Sequence, residues 1–241
     1  MQVLTFASQK GGSGKTTLAG HTAVAAELAG AGPVALIDTD PQGSLSDWWN
    51  ERQMETPVFV RTTVERLSTD LRAMRDMGIR LVVIDTPPAI TATIADVVRE
   101  SDLVVIPTRP SPHDLRAAGA TVRLVEGLRK PLVFAMNAAT PRARITTEAV
   151  FALSQHGTLV PTIIHQRTDF AASMIDGRTV MELASAERSS QEIGELWNYL
   201  RHRLARSAAE AAETIDATGD IAAARSVAAR DAMHPALALL G

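Results

Sequence analysis

Five short apolar runs recur through the first 140 residues, rich in β-branched side chains and without a polar alternation. They are "VLTFAS" at 3–8, "VALIDTD" at 34–40, "LVVIDTP" at 81–87, "LVVIPT" at 103–108 and "LVFAMN" at 132–137. A strand can be apolar on both faces only where both faces are covered, as in a parallel sheet flanked by helices. A weaker run, "TLVPTII" at 158–164, reads as a further strand. Helical patterns at 16–32, 62–77, 91–100, 113–128 and 146–156 separate most of these runs. The alternation predicts βαβ units and one doubly wound α/β domain with a mostly parallel sheet.

The first junction carries chemistry. Gly11-Gly12-Ser13-Gly14-Lys15-Thr16-Thr17 follows a predicted strand and opens a predicted helix. Glycines let backbone N–H groups turn inward around phosphates, and the helix N-terminus adds partial positive charge. Lys15 is placed to bridge β- and γ-phosphates, and the Thr16 hydroxyl to ligate Mg²⁺. The expected ligands are therefore the phosphates of a nucleotide and Mg²⁺. The usual loop pattern asks for glycine at position 9, where this chain has Gln9, and a second lysine, Lys10, precedes the glycines.

Carboxylates end the next two strands. Asp38 and Asp40 stand at i and i+2, so they share one side of the chain while it stays extended. Asp85 closes "LVVID", an apolar strand ending in aspartate. Ligands of open α/β sheets sit beyond the carboxyl ends of the strands, where all three fall.

The loop K-G-G-x-G-K-T-T resembles the deviant Walker A motif of the ParA/MinD family of ATPases, a P-loop NTPase group. The resemblance implies that Lys10 reaches across a dimer interface to the partner's nucleotide, a cation supplied in trans to stabilise charge on the transferred phosphoryl group. It implies that Asp40 positions the attacking water, that Asp38 supports Mg²⁺ and its loop, and that Asp85 holds Mg²⁺ through a water. "TPPAI" becomes a second switch, and Asn137 a contact to adenine. "SDLVVIPTRPSPHDLRAAGATV" (101–122), "DTDPQGSLSDWW" (38–49) and "HQRTDFAASMIDGRTVMEL" (165–183) are similar to segments of short, ParF-like ParA partition ATPases. The likeness covers roughly residues 1–205, the expected ATPase domain. The Ala-rich stretch 206–241 is an expected helical extension packed on it, open to a role in the dimer or in partner docking.

Composition limits the alternatives. No cysteine is present, which excludes disulfides, thiolate metal sites and the cysteine-ligated cluster of nitrogenase iron-protein relatives. The net charge of −3 means that any nucleic-acid contact must come from a local basic patch. The candidates are Arg201, Arg203 and Arg206, with Arg203 and Arg206 spaced to share a helix face, joined in space by Arg167 and Arg188; a solvated helix face is the other reading. The glycine loop begins at residue 10, so an N-terminal operator-binding domain is not expected. No apolar stretch is long enough to span a membrane, and residues 1–6 read as a strand rather than a leader.

The resemblance thus implies a weak ATPase that dimerises on ATP, binds nucleoid DNA without sequence preference and is released by a ParB-like partner. It would be cytoplasmic and nucleoid-associated, segregating plasmid or chromosomal DNA. A positioner of a non-DNA cargo, such as a chemoreceptor array or a microcompartment, shares these motifs. A MinD-like membrane-associated division regulator is disfavoured, because "HPALALLG" lacks the basic face of an amphipathic anchor.

Overall fold

The structure, a computed structural model, describes residues 1–88 and 92–209. Seven strands form one sheet in the order β3-β2-β4-β1-β5-β6-β7, and every pairing is parallel. The strands are β1 (Gln2–Phe6), β2 (Val34–Asp38), β3 (Val58–Phe59), β4 (Leu81–Asp85), β5 (Leu103–Thr108), β6 (Leu132–Met136) and β7 (Thr158–Leu159). The helices are α1 (Lys15–Leu28), α2 (Ser44–Asn50), α3 (Leu67–Asp76), α4 (Ala92–Glu100), α5 (Pro112–Gly127), α6 (Arg144–Ser154) and α7 (Thr168–Met174). Residues 187–209 are helical without interruption across positions 205 and 206. The predicted tail helices at 210–241 lie outside the described residues, as do residues 89–91 of the predicted second switch.

Alternate residues of each central strand feed opposite cores. Leu4, Leu36, Leu81, Val83 and Val105 pack with α1, α2 and the C-terminal helix through Leu18, Leu45, Leu196 and Leu200. Val104, Ile106, Phe134 and Met136 pack with α4, α5 and α6 through Val98, Val122 and Leu153. Val3, Ile37, Val82 and Ile84 meet α3 through Leu67, Leu71 and Met74. This double burial is why the strands carry no polar alternation. It also makes β1 central, so the loop it feeds emerges mid-sheet.

The expected strands stop short of their sequence limits at the carboxyl edge. β2 ends at Asp38 rather than 40, β4 at Asp85 rather than 87, and the weak strand 158–164 contributes only Thr158–Leu159. Helices 62–77 and 146–156 became Leu67–Asp76 and Arg144–Ser154. Two elements, α2 and α7, lie in stretches that were read only as motif sequence.

Candidate nucleotide site

β1 and β4 run side by side with Phe6 opposite Asp85, and β2 pairs with β4 so that Asp38 is opposite Asp85. The carboxyl ends of these three strands bring the glycine loop and both aspartates to one edge. The loop turns through Gly12 at φ 74° and Gly14 at φ 97°, conformations that side-chain-bearing residues rarely adopt. Gly14 is also spatially obliged, since a Cβ there would sit 2.1 Å from Nδ2 of Asn137. That amide donates to the Ser13 carbonyl at 2.8 Å and clasps the loop to the end of β6.

α1 begins directly from this loop. No side chain caps its first turn and no acidic residue lies in it, so its free N–H groups face outward. Uncapped N–H groups at a helix start are matched to an anion. Lys15 is 6% exposed. Burial pulls its ammonium below its ordinary pKa, against the opposing influence of Asp85 and Asp40. The Ser13 hydroxyl is buried and has no partner among the described residues. The chemistry of these donors fits the phosphates of a nucleotide.

The Thr16 hydroxyl donates to Oδ2 of Asp85 at 2.5 Å. Burial pushes the Asp85 carboxyl up to about 7, with Asp38 adding to the rise while the Thr16 hydrogen bond, Lys15 and the Thr86 N–H oppose it. Thr16 and Asp85 form the oxygen pair expected to serve Mg²⁺, and the donor set around them fits that ion with a nucleotide phosphate. Asp38, at the end of the neighbouring strand, holds the turn that follows it. Oδ1 accepts from Asp40 N at 2.9 Å, and Oδ2 accepts from Leu45 N at 3.0 Å and Ser46 N at 3.1 Å. It ties the turn at Asp40 to the start of α2. Burial raises its pKa despite these three bonds.

Asp38 and Asp40 were expected to face one side together. The strand ends at Asp38, so the period of two no longer applies at Asp40. Asp40 instead lines a cleft of about 630 Å³ with Gly11, Gly12, Gly14, Lys15, Thr16 and Trp48. Its Oδ1 accepts from Gln42 N at 3.0 Å and shapes the turn. Pro88 lines the same cleft. A smaller adjoining cavity of about 220 Å³ is lined by Gly14, Thr17, Arg109, Asn137, Arg167 and Phe170. Asn137 Oδ1 carries no hydrogen bond among the described residues.

Lys10 reaches sideways rather than into its own cleft. Its ammonium donates to Oδ2 of Asp114 at 2.5 Å. The Asp114 side chain is 3% exposed and that of Lys10 39%. Burial pushes the Asp114 carboxyl up, but hydrogen bonds from Lys10 and Ser111, with the nearby Arg109 charge, outweigh it and leave the net shift downward. Asp114 was not singled out from sequence. Its signal was S-x-x-D, since Ser111 caps α5 by accepting from Asp114 N at 3.2 Å.

The basic patch is reshaped. Arg167 gives two hydrogen bonds to Glu192, at 2.6 and 2.8 Å, and lines the small cavity, so its charge is neutralised locally. Arg188 is exposed beside Glu192 and Glu195 on a shallow cleft. Arg201 is exposed and bonded to Asn198. Arg203 and Arg206 do not share one solvated face: Arg203 is half-buried, with Nε enclosed, while Arg206 is exposed. The core face of the helix, Leu196, Leu200 and Leu204, draws Arg203 in.

A central phosphate loop with two lysines, on an all-parallel doubly wound sheet, defines a P-loop nucleotide-binding protein of the ParA/MinD type. The chain matches the VirC1 protein family over residues 1–218 and belongs to that family. It is 29% identical over 205 residues to the maintenance of carboxysome distribution protein A of Halothiobacillus neapolitanus, covering 81% of this chain and 94% of that one. It is 30% identical over 187 residues to protein virC1 of Rhizobium radiobacter, covering 71% and 80%. A variant of McdA from Cyanothece in complex with ATP superimposes with a TM-score of 0.68 over 85% of this chain and 96% of that one, at 17% identity, a likeness of fold. Among the described residues no helix is long and apolar enough to cross a membrane.

Proposed function

We propose that this chain is an ATP-driven pairing switch that positions a cargo, with weak intrinsic hydrolysis of ATP to ADP and phosphate. The observation that carries the reading is the pair of lysines on one loop with different partners. Lys15 is buried in its own cleft, while Lys10 lies outside that cleft on Asp114.

In this reading Gly11 to Gly14 and the start of α1 bind the phosphates, Lys15 neutralises the β- and γ-phosphates, and Asn137 contacts adenine. Thr16 and Asp85 would hold Mg²⁺, with Asp38 supporting the ion and the adjacent turn. When bound, Mg²⁺ would supply neutralisation of the phosphate charge. Asp40 orients the attacking water from the cleft wall. Two copies face one another with ATP between them, and Lys10 of each leaves Asp114 for the phosphates of the other. Such a contact gives ATP a higher affinity for the pair than for the single chain, which is what population shift requires.

The pair binds DNA without sequence preference, and a ParB-like partner or cargo adaptor stimulates hydrolysis and release. This cycle segregates plasmid or chromosomal DNA in the cytoplasm, on the nucleoid. The domain serving it is residues 1–205, with 206–241 as an extension. A second reading, a microcompartment cargo, is favoured by the 94% coverage of the carboxysome-distribution relative. ATP turnover measured with and without DNA and a candidate partner tests the switch. Stimulation by both together supports it, and absence of any ATP hydrolysis contradicts it.

A further inference from the structure

Arg109 is the first residue beyond β5, the strand between β1 and β6. β1 leads to the phosphate loop and β6 to Asn137. Arg109 therefore stands at the carboxyl edge of the sheet, flanked by the two elements that the nucleotide reading assigns to phosphate and base. Three residues line both the large cleft and the small cavity: Gly14, Thr17 and Arg109. Of these, only Arg109 carries a charge.

Its backbone is held firmly. Thr108 pairs with Met136 in the sheet, and the Arg109 carbonyl accepts from Ser111 N at 2.8 Å. Pro110 follows it and fixes the next φ. The guanidinium, by contrast, has no hydrogen bond or ion pair among the described residues. Its charge acts on Asp114, whose Oδ2 already accepts from Lys10 and Ser111 and whose Oδ1 is enclosed without a partner among the described residues. The other arginine of the small cavity, Arg167, is tied to Glu192 at 2.6 and 2.8 Å. Arg109 is thus the available cation at the junction of the two spaces.

A phosphate loop places the β- and γ-phosphates at its lysine and the α-phosphate toward the first helical turn. With Lys15 in the large cleft and Asn137 in the small cavity, the α-phosphate and ribose must cross between them, beside Gly14 and Thr17. We propose that Arg109 is a nucleotide-binding residue that donates to the α-phosphate of the nucleotide held in its own chain. This rests on the reading of the site as an ATP site. A planar guanidinium on a rigid root suits a phosphate because it can give two parallel hydrogen bonds. An α-phosphate contact is present with ADP as well as ATP, so the residue secures both states of the cycle without distinguishing them. That separates its role from the one proposed for Lys10, which depends on pairing.

The test is titration calorimetry of the full chain with Mg·ATP and with Mg·ADP, for the wild type, Arg109→Ala and Arg109→Lys. Arg109→Ala is expected to weaken both nucleotides by a similar factor, about ten- to a hundredfold for the loss of charge-assisted hydrogen bonds. Arg109→Lys, which keeps the charge and loses the fork, should recover part of it. Because the side chain is exposed, thermal unfolding of both variants should match the wild type. Unchanged affinity for both nucleotides overturns the proposal, and so does a loss confined to ATP, which would place Arg109 at the γ-phosphate or the pairing surface. A wild-type chain that binds neither nucleotide would instead overturn the ATP-site reading on which the proposal stands.

Discussion

The Lys10 ammonium lies 2.5 Å from Oδ2 of Asp114, pinning the loop's second lysine to the first turn of α5. The carboxylate is buried and the lysine half-exposed, so the pair is asymmetric. Removing Lys10 leaves Asp114 with only Ser111 and the more distant Arg109 to offset burial. Lys10→Ala should therefore cost about 1 kcal/mol at neutral pH, at the low end for an uncompensated buried group because water reaches the lysine end. The folded-state pKa of Asp114 lies below its ordinary value of 3.8. Its stabilising effect is present above that value and is lost as pH falls through the lower folded one. Urea unfolding at pH 7 and at pH 3 should show the Lys10→Ala penalty at pH 7 and a smaller one at pH 3.

Lys15 lines the cleft of its own chain and is buried there. Lys15→Ala should lower ATP affinity on the order of 100-fold, as expected for removing a buried charge-assisted contact. Equilibrium binding of a fluorescent ATP analogue measures this, and near-normal affinity would refute the assignment.

Asp40 lines the cleft, and among the described residues its carboxylate accepts one hydrogen bond, from Gln42 N. Asp40→Ala should keep ATP binding within a few-fold and lose stimulated turnover by about 10² to 10⁴, the usual range for a proton-handling or water-positioning group. Phosphate release under saturating ATP reads it directly. Normal turnover would remove Asp40 from the water-positioning role.

His21 gives a pH signature independent of the nucleotide. It is fully buried in α1, with Nδ1 2.8 Å from the Thr17 carbonyl and its ring against Phe170. Burial pulls its pKa from 6.5 down to about 4. The unfolded chain therefore binds a proton that the folded chain refuses between these values. Stability should fall as pH drops from about 6.5 toward 4, by about 3 kcal/mol at most from this group. Denaturation curves across that range should show the slope in the wild type and a weaker one in His21→Gln.

The exposed arginines give a salt signature. Arg201 and Arg206 are exposed on the helix of residues 187–209. Arg201→Glu with Arg206→Glu should weaken ATP-dependent DNA binding and reduce the salt slope by about two. An unchanged slope would place the DNA surface elsewhere.

The fold was legible because Leu81 to Ile84 and their neighbours had to be covered on both sides, which only a helix-flanked parallel sheet provides. Gly12, Gly14 and Lys15 were legible because backbone conformation and charge are fixed by residue type. The partnership of Lys10 with Asp114 was not, since it joins residues 104 positions apart through the crossover from β1 to β5. Nor was the task of Asp38, whose bonds to Leu45 N and Ser46 N depend on α2, a seven-residue helix with little sequence signal. Nor was the half-burial of Arg203, because spacing sets which residues share a face but leaves open which part of that face the core claims.

The most direct measurement is the solution mass of the chain, by light scattering after size exclusion, with Mg·ATP and with Mg·ADP, using Asp40→Ala to prevent turnover. The expected result is 25.7 kDa with ADP and about twice that with ATP, with Asp40→Ala/Lys10→Ala remaining at the single-chain mass in both. A mass that does not respond to ATP, or a Lys10→Ala variant that pairs as readily as its parent, would contradict an ATP-controlled pairing switch.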